Sequence, residues 1–93
     1  MTSITRVAIV GAGTMGRRIA FQCARTGMAC SIYDLDAAAL EAARAQIDTW
    51  LAAKLPAGAA APALASVAFC ADLGQCLHGA ELVIENVPEQ LEL

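Results

Sequence analysis

Ninety-three residues, carrying a net charge of −3 from six basic and nine acidic side chains, leave room for one small domain that hides only about three-fifths of its unfolded surface. Hydrophobic positions make up 58% of the chain, but 22 of them are alanine and aromatics are only 4%, so the bulky apolar content is ordinary. The basic residues are scattered, which argues against nucleic acid or an anionic membrane as partner, and polar residues interrupt every apolar run short of the ~18 residues of a membrane span.

The start, Met1 to Val7, lacks the basic stretch, apolar run and cleavage site of an export signal. Arg6 to Val10 is a short β-branched run that stops at Gly11, as suits a strand buried on both faces of a parallel sheet. From Thr14 to Thr26 the period turns helical, with Gly16, Ala20, Cys23 and Ala24 on one side and Arg18, Gln22 and Arg25 on another; Gly27 supplies a left-handed stop. A helix with a face of small residues lies close against a sheet. Ala29 to Tyr33 reads as a second strand ending at Asp34.

A second helix starts at the N-cap Asp36, carries Leu40, Ala43, Ile47, Trp50 and Leu51 as its apolar stripe, and ends at Pro56. Arg44 is spaced to pair with Glu41 and Asp48. Leu55 to Ala65, rich in Ala, Gly and Pro, reads as a surface loop. Ser66 to Cys70 is a third strand, Asp72 to His78 a short helix capped by Asp72 and closed at Gly79, and Glu81 to Asn86 a fourth strand. The βαβαβαβ order predicts a Rossmann-type, doubly wound parallel sheet of which this chain is the N-terminal part. Cys23, Cys30, Cys70 and Cys76 form no metal-binding spacing and read as reduced, half-buried residues of a cytoplasmic protein.

Gly11-Ala12-Gly13-Thr14-Met15-Gly16 matches G-x-G-x-x-G between a strand and a helix. That placement sets free backbone N–H groups and the positive helix end against a pyrophosphate. Gly11 allows the tight turn, Gly13 lets the backbone approach the phosphates, and Gly16 lets helix and strand pack closely. Asp34 lies 18 residues after Gly16, where an acid accepts hydrogen bonds from the adenosine ribose hydroxyls. Its charge repels a 2′-phosphate, and no Arg or Lys occurs from Ile32 to Ala43 to offset it, so NAD is favoured over NADP. Arg17 sits either near the pyrophosphate or in solvent.

The run Val7 to Ala20 (VAIVGAGTMGRRIA), Asp34, and the run Glu81 to Leu93 (ELVIENVPEQLEL) together resemble the NAD-binding domain of the L-3-hydroxyacyl-CoA dehydrogenase family, which includes 3-hydroxybutyryl-CoA dehydrogenase, carnitine dehydrogenase and the lambda-crystallin type. The resemblance covers all but the Ala-rich stretch. It implies an oxidoreductase of fatty acid metabolism, a homodimer when full length, that passes a hydride from the hydroxyl-bearing carbon of a 3-hydroxyacyl compound to NAD. It also implies Gly11 to Gly16 as pyrophosphate loop, Asp34 as ribose ligand and Glu89 near the nicotinamide. In strand order 3-2-1-4, Asn86 to Glu89 emerge beside the glycine loop, whereas Glu85 is expected to accept backbone hydrogen bonds at the strand end.

The family's catalytic histidine and its glutamate partner lie beyond this stretch, as do its lysine, serine and asparagine. His78, the one histidine, falls at the end of a short helix and is not expected to be catalytic. The expectation is therefore a cofactor site without proton-transfer machinery, inactive alone. The alternative is a non-catalytic, crystallin-like NAD-binding module. Right-handed crossovers put the first two helices on one sheet face, and the ten residues Ala71 to Ala80 cannot cover the other. This predicts the front end of a longer protein.

Overall fold

The structure, a computed structural model, describes residues 4–86. Four strands, β1 (Arg6–Val10), β2 (Ala29–Tyr33), β3 (Val67–Cys70) and β4 (Leu82–Glu85), form one sheet in the order β3-β2-β1-β4. Every pairing is parallel, with Ile9 opposite Ile32 and Ile84, and Ile32 opposite Phe69. Each link is a crossover, as parallel pairing requires.

Helix α1 (Thr14–Thr26) buries Gly16, Ala20, Cys23 and Ala24, the side anticipated from its spacing, and ends at Gly27 with φ 84°. Only a residue without a Cβ takes that conformation at little cost. It lets the Met28 N–H donate to the Cys23 carbonyl at 2.9 Å and turns the chain into β2. Helix α2 (Ala37–Lys54) opens on Asp36, whose carboxylate accepts from the Ala38 N–H at 3.0 Å, and buries Leu40, Ala43, Ile47 and Leu51. Full burial of Ile47 and Leu51 is worth roughly 1.5–3 kcal/mol each. Trp50 is only half-buried and meets Phe21 of α1 edge-on, with centroids 5.6 Å apart. The Arg44 guanidinium, expected from its spacing to pair with Glu41 and Asp48, instead lies 5.2 Å from the centre of the Phe69 ring.

The stretch expected to be a plain loop holds a further helix, α3 (Ala60–Ala65), so the order is βαβααβαβ. Alanine has the highest helix propensity, and Pro62 falls in the first turn, where its missing N–H would have had no partner. Ala60, Ala63 and Leu64 then pack against the core under α2. Ser66 caps α3 and is not part of β3. Helix α4 (Leu73–Leu77) is held by Asp72, which accepts from the Gln75 N–H at 2.8 Å.

The sheet is covered unequally. On one face Val7, Ile9, Cys30, Ile32 and Val67 pack under α1, α2 and α3. On the other, Ala8, Cys70 and Cys76 form a small cluster beneath α4, where Leu73 of α4 and Val83, opposite Ala8, are 41% and 50% exposed. Five residues of helix leave that face open, as the length of the connection requires. At the amino ends of the strands Glu81 accepts from the backbone N–H groups of Thr5 (2.7 Å) and Arg6 (3.2 Å), which hold its carboxyl below the usual range. The backbone-accepting role expected of Glu85 thus belongs to Glu81. Glu85 has an exposed side chain.

All four cysteines are free and buried rather than half-buried. Burial, reinforced by neighbouring Cys70, pushes the Cys76 thiol up to about 11, and burial also raises Cys23, Cys30 and Cys70. The folded state therefore favours the protonated thiol. The contribution of Cys76 is complete below the ordinary thiol value of 9.0 and is lost as pH rises towards about 11. Thermal melts across this window are expected to show a decline that is smaller in Cys76→Ala; an equal decline in both proteins contradicts this assignment.

Candidate functional site

The glycine loop runs from the end of β1 into α1 and is tied on both sides. The Gly11 N–H donates to the Tyr33 carbonyl at 2.8 Å, and the Asn86 N–H donates to the Val10 carbonyl at 2.7 Å. Gly11 has φ 110°, and a Cβ there would collide with the Asn86 carbonyl oxygen. A Cβ at Gly16 would collide with the Gly11 carbonyl oxygen and come within 3.3 Å of Ile9 Cγ2. The two outer glycines thus let loop, helix and fourth strand close on one another. Gly13 differs: its φ is −79°, and a Cβ would meet nothing within 4 Å. It faces open space, and as N-cap of α1 it has no side chain to cap the first-turn N–H groups. A helix start left open in this way favours a bound anion.

Asp34 is held by the main chain on both oxygens, accepting from the Ala12 N–H and the Asp36 N–H, each at 2.8 Å. Arg17 reaches back over the loop. Its Nε donates to the Ala12 carbonyl and one terminal nitrogen to Gln46 Oε1 of α2, both at 2.9 Å. It is half-buried and lines the same cavity as Asp34. The count of cations on the segment Ile32 to Ala43 overlooked it because it arrives from a different helix. Its place four residues after Gly13, on the side of α1 turned to α2, was the available signal.

These elements enclose a cavity of about 590 Å³ at the carboxyl edge of the sheet, where Ala12, Gly13, Thr14, Met15 and Asp34 meet Arg17 and Asn86. It lies where β1 and β4 adjoin and the chain crosses to opposite faces, the position at which open α/β sheets bind ligands. Gly11 and Gly16 support the loop from beneath and do not line the cavity. Glu89 lies outside the described residues. His78 is exposed beside Gly79, which packs against Arg6 at the opposite edge of the sheet. The buried Asn86 amide nitrogen has no hydrogen-bond partner among the described residues, although buried donors are nearly always paired. With the open side of Gly13 and the uncapped α1, this donor fits a polar, phosphate-bearing ligand. Among the described residues no three His, Cys, Asp or Glu gather to hold a metal ion, and no helix is long and apolar enough to cross a membrane.

Residues 6–93 match the family model of the 3-hydroxyacyl-CoA dehydrogenase NAD-binding domain. The chain belongs to this family. As a 3-hydroxyacyl-CoA dehydrogenase NAD-binding domain it has NAD as its cofactor. It is 39% identical over 92 residues to 5-formyl-3-hydroxy-2-methylpyridine 4-carboxylate 5-dehydrogenase of Mesorhizobium japonicum, an alignment covering 97% of this chain and 30% of that protein. Among solved structures it resembles a diketoreductase acting on dicarbonyl compounds, with a TM-score of 0.82 and 42% identity, covering 96% of this chain and 34% of the other. It also resembles 3-hydroxybutyryl-CoA dehydrogenase of Escherichia coli, with a TM-score of 0.85 and 33% identity over 96% of this chain and 20% of that one. The chain thus spans about a third or less of the proteins it matches.

Proposed function

We propose that this domain holds NAD for a dehydrogenase that oxidises the hydroxyl of an L-3-hydroxyacyl-CoA or a related 3-hydroxy acid to the ketone. The observation that carries the reading is the open face of Gly13 at an uncapped helix start, inside a cavity flanked by Asp34. Bound there, the cofactor supplies a hydride acceptor. In this reading the backbone N–H groups of Gly13, Thr14 and Met15 receive the diphosphate, and Asp34 accepts from the adenosine ribose hydroxyls. Asn86 offers its free amide N–H to the cofactor's central part, and Glu89 serves the nicotinamide side. Asp34 is positioned by two main-chain donors before the cofactor arrives, so little ordering accompanies binding.

The chain itself supplies no general base for the hydroxyl proton in this reading; it is the N-terminal portion of a longer nucleotide-binding domain, followed by a substrate domain. The exposed Val83 on the open sheet face and the exposed Leu82 on the other side of the edge strand β4 support that placement. Four free thiols fit a reducing compartment and support a cytoplasmic protein, which we place in fatty acid metabolism as a homodimer. The test is NADH formation by the protein carrying this domain, with 3-hydroxybutyryl-CoA and the matching free acid as substrates. Turnover of either is expected; NAD binding without oxidation of any 3-hydroxyacyl compound overturns the reading and favours a non-catalytic module.

A further inference from the structure

Ala12 brings two opposite charges together. Its N–H donates to Asp34, and its carbonyl accepts from Arg17. Both acceptors of Arg17, the Ala12 carbonyl and Gln46 Oε1, are neutral oxygens, while both oxygens of Asp34 are taken by backbone N–H groups. The guanidinium and the carboxylate share a cavity without pairing in these contacts. A guanidinium carries five N–H donors, and these contacts use two. The rest of the group stands half-buried in the wall that also holds Asp34, Asp36 and Ala39 at the start of α2. The same lining includes Gly13, Thr14 and Met15 at the start of α1, and in the reading above Asp34 faces the adenosine ribose.

We propose that Arg17 is a cofactor-specificity residue, a built-in cation for a phosphate on the adenosine 2′ oxygen, so that the preference for NAD is set by Asp34 acting against Arg17. The inference rests on the NAD-binding reading above. With Asp34 ionised, a 2′-hydroxyl donates to it and a 2′-phosphate is repelled. Without that charge, Arg17 presents its remaining N–H groups to the phosphate as a planar fork. Its contacts with Ala12 and Gln46 fix the fork in place, so few side-chain rotations are frozen when the anion binds.

Calorimetric titration of the protein carrying this domain with NAD, NADP, 5′-AMP and adenosine 2′,5′-bisphosphate tests this. Asp34→Asn keeps an acceptor for the Ala12 N–H and removes the charge. It is expected to raise the NADP-to-NAD affinity ratio about tenfold or more, the scale of one hydrogen bond to a charged group. Adding Arg17→Met is expected to reverse that gain, and adding Arg17→Lys to retain most of it. The bisphosphate-to-AMP ratio is expected to move in parallel. Arg17→Met alone lowers both ratios in the otherwise unchanged chain, a readout that does not depend on the Asp34 variant folding. Equal weakening of all four ligands by Arg17→Met assigns Arg17 to the diphosphate or to loop structure and overturns the proposal. So does an NADP gain in Asp34→Asn that persists without Arg17. Absence of NAD binding by the unmodified chain contradicts instead the cofactor reading beneath it.

Discussion

Gly13→Val is expected to abolish measurable NAD binding while leaving the fold intact. The backbone at Gly13 is extended, a conformation open to any residue, and its Cβ would point into empty space. Stability should therefore change by no more than about 0.5–1 kcal/mol. The added side chain would stand in the cavity at the mouth of α1, where the diphosphate must approach the backbone to within hydrogen-bond distance. Binding is expected to weaken by roughly a hundredfold or more, the equivalent of about 3 kcal/mol. Unfolding by circular dichroism and titration of the same sample separate the two effects. A variant that still binds NAD with wild-type affinity would show that the cavity is not the cofactor site.

Gly16→Val should behave in the opposite manner. Its first side-chain atom would run into the Gly11 carbonyl and crowd Ile9 Cγ2, and neither can yield cheaply. Ile9 is fully buried, and moving the Gly11 carbonyl would drag the loop from its bonds to Tyr33 and Asn86 at either side. Overpacking of this kind costs about 1–3 kcal/mol and sometimes more. A domain of this size has only about 5–10 kcal/mol in hand, and one of its sheet faces is half open. A marked fall in the unfolding midpoint is expected, with NAD binding lost as a consequence. Wild-type stability would contradict the close packing of loop, helix and strand.

These two glycines also illustrate what could be read from residue order. The strand, the glycine spacing and the helix that follows are local patterns, and each takes the place that its period and turn residues dictate. The 3-2-1-4 strand order is that of the doubly wound fold to which the βαβ rhythm and the glycine loop point. Less legible were features that depend on distant partners. The segment Leu55 to Ala65 carries turn residues and alanines together, and its last six residues become helical because Ala60, Ala63 and Leu64 find the core beside α2. Arg17 lines the cavity with one terminal nitrogen held by Gln46 of α2. Glu81 rather than Glu85 receives the backbone donors because Thr5 and Arg6, far away in sequence, pass alongside it. Spacing along the chain offered a hint only for Arg17, four residues after Gly13, and did not settle which way it turns.

Titration of the protein carrying this domain with NAD, NADP and ADP-ribose tests the central claim most directly. A single NAD site is expected, with most of its affinity retained by ADP-ribose and with NADP weaker by about tenfold or more, as one repelled phosphate implies. No binding of NAD, or equal affinity for NAD and NADP, would contradict the roles given to Gly13 and Asp34.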